Sequence, residues 1–182
     1  SAFADSFLEP HHLHKMLSKY IVLAETEKAL MVLRPYQYYA TEKIISTVEN
    51  STNNGYVWHT TGSGKTLTSF KASQLLMDNP EVFKVVFVVD RRDLDFQTTK
   101  EFNNFSDGSV DGTDNTKALV KQFGDDTKLI VTTIQKLNNA IGSSRYENTM
   151  THLQDKRIVF IFDECHRTQF GETHKRIKKH FL

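Results

Sequence analysis

A loop rich in glycine and hydroxyl side chains carries the clearest chemistry in this sequence. It runs from His59 to Thr66 (HTTGSGKT), between a short apolar run and a segment with helical periodicity. Gly62 and Gly64 allow the backbone to approach phosphate oxygens with its N–H groups turned inward, and a following helix adds the positive end of its dipole. We expect Lys65 to neutralise β and γ phosphates and the Thr66 hydroxyl to ligate Mg²⁺.

This loop departs from the P-loop pattern at one position. The pattern places glycine where this sequence has His59, but Gly-x-Gly-Lys-Thr after a predicted strand remains. The alternative interpretation is a Gly/Ser turn that precedes Lys65 by chance. We favour a phosphate loop, in which Thr61 and Ser63 also contribute to nucleotide binding, because a second motif agrees with it.

The second motif is an apolar run that ends in two carboxylates. Residues 157–162 (RIVFIF) are typical of a buried strand, and Asp163, Glu164, Cys165 and His166 follow directly. In open α/β sheets the ligand lies at the carboxyl ends of the strands. We therefore expect Asp163 to hold Mg²⁺ and Glu164 to polarise an attacking water as general base. A solvated acidic turn explains this stretch equally well when it is taken alone, but not beside the phosphate loop.

Apolar runs alternate with amphipathic segments along most of the chain. This alternation predicts an α/β fold with a mostly parallel sheet flanked by helices in three layers. Residues 1–33 are predicted to be a helical connector, with helical spacing over 11–31, and residues 34–182 to form the α/β domain. Strands are predicted at 56–58, 82–89, 129–134 and 158–162, and helices at 36–48, 66–77, 93–105, 116–123 and 172–182.

The composition is that of an ordinary globular protein. The chain has 182 residues, which suits one domain, and 23 Lys and Arg stand against 22 Asp and Glu. A net charge of +1 argues against nucleic-acid binding by bulk charge alone. A single cysteine excludes an internal disulfide and fits a reducing cytoplasm. No apolar run is long enough to span a membrane, and no signal peptide is visible. A start at Ser1 suggests a processed product or a piece of a longer chain.

The Asp-Glu-Cys-His sequence at 163–166 belongs to the helicase motif II series. With the phosphate loop, it makes the chain resemble the first RecA-like motor domain of superfamily 2 helicases and translocases. The stretches VDRRDL (89–94), TTIQKL (132–137) and DECHRTQ (163–169) are similar to the R (motor and nuclease) subunit of type I restriction enzymes. The resemblance covers roughly residues 34–182, and His59 is the form that this family tends to use.

The resemblance implies a RecA-like P-loop NTPase fold, of which residues 34–182 would be the N-terminal part. It also implies that Arg34 and Gln37, in the sequence Arg-Pro-Tyr-Gln, recognise adenine. The Gln37 amide can both donate to and accept from the edge of that base. The alternative is a helix start with proline in its first turn and an exposed glutamine.

Two further stretches are implied to contact DNA, and both follow apolar strands. Short hydroxyl, amide and cationic side chains suit phosphate contacts, which position a duplex without reading its sequence. For the two arginines a salt-bridged surface turn with the neighbouring aspartates fits the sequence nearly as well. His166 is implied to couple the nucleotide site to DNA. The implied DNA-binding residues are Arg91, Arg92, Gln97, Thr132, Thr133, Gln135 and Lys136.

The resemblance implies an ATP- and Mg²⁺-dependent motor that translocates duplex DNA before cleavage by a nuclease domain outside these residues. The implied partners are modification and specificity subunits, a second RecA-like domain and a nuclease domain of the same polypeptide. We expect the isolated stretch to hydrolyse ATP weakly, because the second domain supplies the arginine finger.

Three other functions remain open from the sequence. One is another superfamily 2 enzyme, such as an RNA helicase or a chromatin-type remodeller, against which residues 89–94 argue. Another is a P-loop kinase, a class that lacks a paired Asp-Glu with a role in activating water, so Glu164 argues against it. The third is a docking module that binds nucleotide without turnover.

Overall fold

The structure, a computed structural model, describes residues 5, 8–24, 28–60, 62–89, 92–105, 115–163 and 170–181, with the backbone alone at 92–97, 105, 170 and 172–174. None of the helices in these ranges combines the length and apolar character needed to cross a membrane. In chain order the elements are α1 (Pro10–Lys19), β1 (Ile21–Ala24), β2 (Ala29–Val32), α2 (Pro35–Asn50), α3 (Lys65–Met77), β3 (Lys84–Val89), α4 (Arg92–Phe105), α5 (Thr116–Gly124), β4 (Leu129–Thr133), α6 (Ile134–Gly142), a 3-10 turn (Ser144–Tyr146), α7 (Glu147–His152), β5 (Ile158–Phe162) and α8 (Phe170–Phe181).

Three parallel strands form the central sheet, in the order β4–β3–β5. Val85 pairs with Leu129 on one side, and Lys84 pairs with Ile158 on the other. Strand β3 is buried along its whole length, as expected for a strand that has partners on both sides and helices over both faces. The predicted α/β fold with a parallel sheet is confirmed.

Alternate side chains of β3 enter two separate cores. On one face Val85 and Phe87 pack with α2, α3 and α4, and the rings of Phe87 and Phe102 lie 5.1 Å apart. On the other face Val86 and Val88 pack with α5, α6, α7 and α8. The sheet therefore lies between two helical layers, and the first layer contains the helix that follows the phosphate loop.

The prediction of a helix across residues 11–31 is wrong beyond Lys19. Helix α1 ends there, and β1 and β2 pair as an antiparallel hairpin. Within β1, Val22 and Ala24 are buried while Leu23 between them is exposed. The segment thus follows the two-residue period of a half-buried strand rather than the helical period.

The α1–β1–β2 segment shares a core with the rest of the chain. Tyr20 is 1% exposed, and its hydroxyl donates a hydrogen bond to the Glu42 carboxylate on α2. The same carboxylate pairs with Lys15 Nζ at 2.7 Å. Lys71 Nζ on α3 donates to the Ile21 carbonyl at 3.3 Å. A separate connector formed by residues 1–33 stays a prediction, but its described part packs directly on α2 and α3.

The prediction of a strand at 56–58 is wrong in this structure. Residues 53–60 adopt no regular secondary structure, and Tyr56 and Trp58 are each 86% exposed. The strands of the described sheet are β4, β3 and β5, and none of them pairs with this segment. Since a strand is stabilised by its neighbours, an apolar run without a partner does not form one.

Candidate nucleotide site

The phosphate loop leads directly into α3. Gly62 and Gly64 have φ of 74° and 75°, in the left-handed region that glycine tolerates best. Gly64 is the N-cap of α3, and a Cβ built on it would lie 2.4 Å from Nε2 of Gln37. Glycine at 64 is therefore favoured by its left-handed conformation, and a Cβ there would displace the Gln37 amide.

Lys65 and Thr66 form the first turn of α3. The backbone N–H groups of a first turn have no partner inside the helix, and they give this end a partial positive charge. Both residues therefore lie where an anion would be bound, as the sequence predicts. Thr61, which was also predicted to bind nucleotide, lies outside the described residues.

Gln37 connects the start of α2 to the phosphate loop. Its side chain is 4% exposed. Its Oε1 accepts a hydrogen bond from the Arg34 N–H at 2.8 Å, and its Nε2 donates to the carbonyls of Ser63 and Gly64, each at 3.2 Å. Both amide protons are thus directed at the loop, and a spare lone pair of Oε1 is left. Contact of Gln37 with adenine stays a prediction. In this arrangement its Oε1 would accept a hydrogen bond from the base.

Tyr36 and Arg34 complete this contact from the same turn. The Tyr36 hydroxyl donates to the Ser63 carbonyl at 2.8 Å. Arg34 is the N-cap of α2, and its exposed guanidinium lies 3.5 Å from the Tyr36 hydroxyl. Tyr36 was not among the predicted site residues. Its place beside Gln37 was visible in the sequence, but its bond to a residue 27 positions later is a tertiary contact.

His59 contacts the loop from inside the predicted motif. Its Nδ1 lies 3.0 Å from Ser63 Oγ, and its Nε2 is buried with no hydrogen-bond partner among the described residues. Burial, and then the positive charge of Lys65, lower the pKa of His59 below its ordinary value. The sequence marked His59 only as a departure from the P-loop pattern and gave it no role.

A pocket of about 460 Å³ opens between the start of α2 and the phosphate loop. This size is in the usual range for small-molecule sites. Aromatic side chains on its wall could stack on a base, because a ring face is attractive to any planar base. The residues that line it are Arg34, Tyr36, Ala40, Val57, Trp58, His59, Thr60, Gly62 and Ser63.

Asp163 directly follows β5, as predicted. Its N–H donates to the Val88 carbonyl at 3.0 Å and extends the β3–β5 pairing by one residue. The described residues contain no group of three or more His, Cys, Asp or Glu side chains that could hold a metal. The Mg²⁺ prediction rests on Thr66 and Asp163, whose oxygen atoms are of the kind that Mg²⁺ prefers.

The residues implied to contact DNA at the end of β4 and the start of α6 are mostly buried. Thr132, Thr133 and Lys136 are 0%, 1% and 7% exposed. Thr133 is the N-cap of α6, and its Oγ1 accepts a hydrogen bond from the Lys136 N–H at 3.3 Å. Gln135 is exposed. Of these four residues only Gln135 has an exposed side chain in this structure, and contact of the four with DNA stays a prediction.

The remaining predicted residues are not placed by the structure. Arg91, Glu164 and His166 lie outside the described residues, and Arg92 and Gln97 have only their backbone described, in the first half of α4. Their roles stay predictions.

Comparison with known proteins identifies the family. A family model for SWI2/SNF2 ATPases matches residues 36–182. A type I restriction enzyme endonuclease subunit of Staphylococcus saprophyticus, SsaAORF53P, is 53% identical over 180 residues. The putative C-terminal part of such a subunit from Mycoplasma pneumoniae is 44% identical over 192 residues, which cover 98% of this chain and 92% of that protein. The chain belongs to the endonuclease (R) subunits of type I restriction enzymes.

The staphylococcal R subunits that this chain matches are much longer than the chain itself. The match covers 98% of this chain and 19% of the S. saprophyticus subunit, so the chain spans about a fifth of that relative. A subunit of Staphylococcus aureus MRSA252 is 52% identical over 181 residues, with the same 19% share.

A solved structure supports the helicase-like fold of this R-subunit segment. A nuclease-deletion mutant of the Type ISP restriction-modification enzyme LlaGI, in complex with a DNA substrate mimic, matches with a TM-score of 0.58 and 23% identity. The match covers 79% of this chain and 16% of that one. At this identity the likeness shows the fold, and with the SWI2/SNF2 match it confirms a RecA-like domain.

Proposed function

We propose that this chain forms the ATP-binding and ATP-hydrolysing part of a DNA translocase, in the motor of a type I restriction endonuclease R subunit. The observation that carries the proposal is the phosphate loop, in which two left-handed glycines precede α3 and Gln37 and Tyr36 hold Ser63. Hydrolysis would drive duplex DNA past the enzyme before a nuclease domain outside these residues cleaves it.

The residues present fit ATP and Mg²⁺. Gly62 and Gly64 are left-handed and lead into the first turn of α3, whose backbone N–H groups suit phosphate oxygens, and bound ATP would supply the phosphoryl group whose transfer to water releases free energy. Lys65 would neutralise the phosphates, and Thr66 and Asp163 would hold Mg²⁺. Glu164 would take a proton from the attacking water, and His166 would couple this site to DNA.

DNA contact is proposed for two stretches after strands β3 and β4. Arg91, Arg92 and Gln97 would bind backbone phosphates after β3, and exposed Gln135 would do so after β4. We further propose that the whole protein works in the cytoplasm with modification and specificity subunits, a second RecA-like domain and a nuclease domain. The names of the relatives as endonuclease subunits, and the DNA substrate mimic bound to the LlaGI mutant, support this.

The test is ATP hydrolysis by the full-length natural polypeptide with its partner subunits on linear duplex DNA. We expect Lys65→Ala to abolish DNA-dependent hydrolysis. Lys121→Ala is the matched control, because Lys121 is exposed on α5, in the other helical layer. Hydrolysis that persists in Lys65→Ala would contradict the assignment of the phosphate loop.

The same assay distinguishes the proposed DNA translocase from the alternative functions. If the full-length wild type binds ATP but never hydrolyses it, with or without DNA, a nucleotide-gated docking module is the better description. If it hydrolyses ATP only with RNA, another superfamily 2 activity is indicated.

A further inference from the structure

Ser63 is the most heavily tethered residue of the described phosphate loop. Its carbonyl accepts hydrogen bonds from the Tyr36 hydroxyl at 2.8 Å and from Gln37 Nε2 at 3.2 Å. Its own N–H and Oγ–H both donate to the Thr60 carbonyl, at 3.2 Å and 2.7 Å. Within the part of the chain that the structure describes, Ser63 makes one further hydrogen bond, between its Oγ and Nδ1 of His59 at 3.0 Å.

Counting protons fixes the direction of that last contact. A serine hydroxyl has one proton and two lone pairs, and the proton of Ser63 is used in the bond to Thr60. The hydrogen bond at 3.0 Å must therefore use a proton on Nδ1 of His59. The imidazole donates and the serine oxygen accepts.

The surroundings of His59 set its charge. A second proton, on Nε2, would be buried without an acceptor among the described residues. Lys65 is the charged side chain that acts on the ring electrostatically, and with burial it lowers the pKa of His59. Tyr36 approaches the ring edge-on at 6.3 Å, and Arg34 lines the same pocket. The ring is thus neutral near pH 7, with its proton on Nδ1 and an open lone pair on Nε2.

We infer that His59 is a positioning residue of the phosphate loop, which holds the Thr60–Ser63 turn through an Nδ1–H donor bond to Ser63 Oγ. That turn ends directly before Gly64 and Lys65, so fixing it fixes the approach to the first turn of α3. A loop that is ordered before the nucleotide arrives loses less conformational freedom on binding. The inference rests on the proposed nucleotide site for its meaning, but the bond can be tested without nucleotide.

Substitutions of His59 that keep or remove an N–H donor can separate this role from simple space filling. The amide N–H of asparagine can take the place of Nδ1–H of histidine, whereas alanine supplies no donor. Glycine, the residue of the general P-loop pattern at this position, supplies none either. If His59 only fills space, asparagine should have no special advantage.

The first experiment measures the affinity of a fluorescent ATP analogue with Mg²⁺ for the full-length natural polypeptide. We expect His59→Ala to bind about fivefold more weakly, the usual value of one lost hydrogen bond. His59→Asn should recover most of this loss. Adding His59→Ala to Ser63→Ala should cost little more than Ser63→Ala alone, because the bond is already absent. Unchanged affinity in His59→Ala, no recovery in His59→Asn, or additive losses would each overturn the inference.

The second experiment needs no nucleotide and keeps the two proposals apart. Hydrogen–deuterium exchange of peptides that contain residues 60–64 should be faster in His59→Ala than in wild type, and close to wild type in His59→Asn. Equal protection in all three proteins would overturn the role of His59. If protection changes as expected but the wild type and Lys65→Ala bind ATP equally, the proposed nucleotide site fails while the role of His59 stands.

Discussion

Two apolar stretches that the sequence predicts as strands differ in structure in this molecule. Residues 85–89 (VVFVV) form the centre of a sheet, and each of their side chains is at most 2% exposed. Residues 56–58 (YVW) form no strand, and both of their aromatic side chains are 86% exposed. The difference lies in their neighbours, since β3 has a strand on each side and helices over both faces. Strand propensity thus describes a fit to surroundings more than a property of the local sequence.

The largest expected effect tests that comparison directly. Phe87→Ala should lower the free energy of unfolding by about 3–5 kcal/mol, because it leaves a cavity in a close-packed core. Trp58→Ala should change it by about 0.5 kcal/mol or less, as for most surface substitutions. Urea denaturation of the chain measures both values. A large loss in Trp58→Ala would mean that residues 56–58 pack more tightly than their exposure indicates.

Lys84 tests the buried strand from its polar end. It is 2% exposed, and its Nζ donates to the carbonyls of Asp125 and Thr127 at 2.6 Å and 2.7 Å. Lys84→Met keeps the volume but leaves both carbonyls without this donor, so we expect a loss of about 1–3 kcal/mol in the free energy of unfolding. Exposed Lys117→Met is the control. Equal stability of the two variants would show that water replaces the ammonium group.

Three glycines sharpen the contrast between the sheet and the phosphate loop. Gly64→Ala combines left-handed strain of about 1–2 kcal/mol with the close contact to Gln37. We expect it to weaken nucleotide binding about tenfold or more. Gly62→Ala has the strain without a close neighbour, and Gly142→Ala at the end of α6 has neither. Titration with a fluorescent ATP analogue should rank them in that order, and a different order would contradict the geometry of the loop.

The smallest expected effect is the pH dependence of stability that His59 contributes. Burial and Lys65 hold its pKa below its ordinary value of 6.5. Between the lowered pKa and 6.5 the unfolded chain binds a proton that the folded chain does not, so stability falls as pH decreases through this window. His59→Asn should flatten the fall in Tm on acidification, and exposed His14→Asn should not. Parallel curves for His59→Asn and wild type would contradict a buried neutral ring.

Much of the fold and part of the site could be predicted from the sequence. Strands β3, β4 and β5 were predicted because a continuous apolar run bounded by polar residues is typical of a buried parallel strand. Helices α2 and α3 were found from their spacing and from Pro35 and the loop before Lys65. The short helix α6 was not predicted, since its first residues were interpreted as part of the motif at 132–137, and the six-residue helix α7 was not predicted either.

The failures share a physical cause. In residues 21–32 an apolar spacing compatible with a helix was overridden by pairing between two short strands, which the sequence does not show. The bonds from Tyr36 and Gln37 to Ser63 join residues 27 and 26 positions apart, and no local sequence pattern predicts contacts between residues so far apart in the chain. The burial of Thr132 and Lys136 likewise depends on helices that pack over the end of β4.

The bond from Lys71 to Ile21 has a consequence for where this folding unit begins. The sequence motifs start at Arg34, yet Tyr20 and Val22 belong to the same core as Phe70 and Val85. A protein trimmed to the motifs would expose that core and leave the Lys71 ammonium without its carbonyl acceptor. The smallest cooperative piece therefore starts ahead of the first recognisable signature, and a boundary drawn at that signature would cut through it.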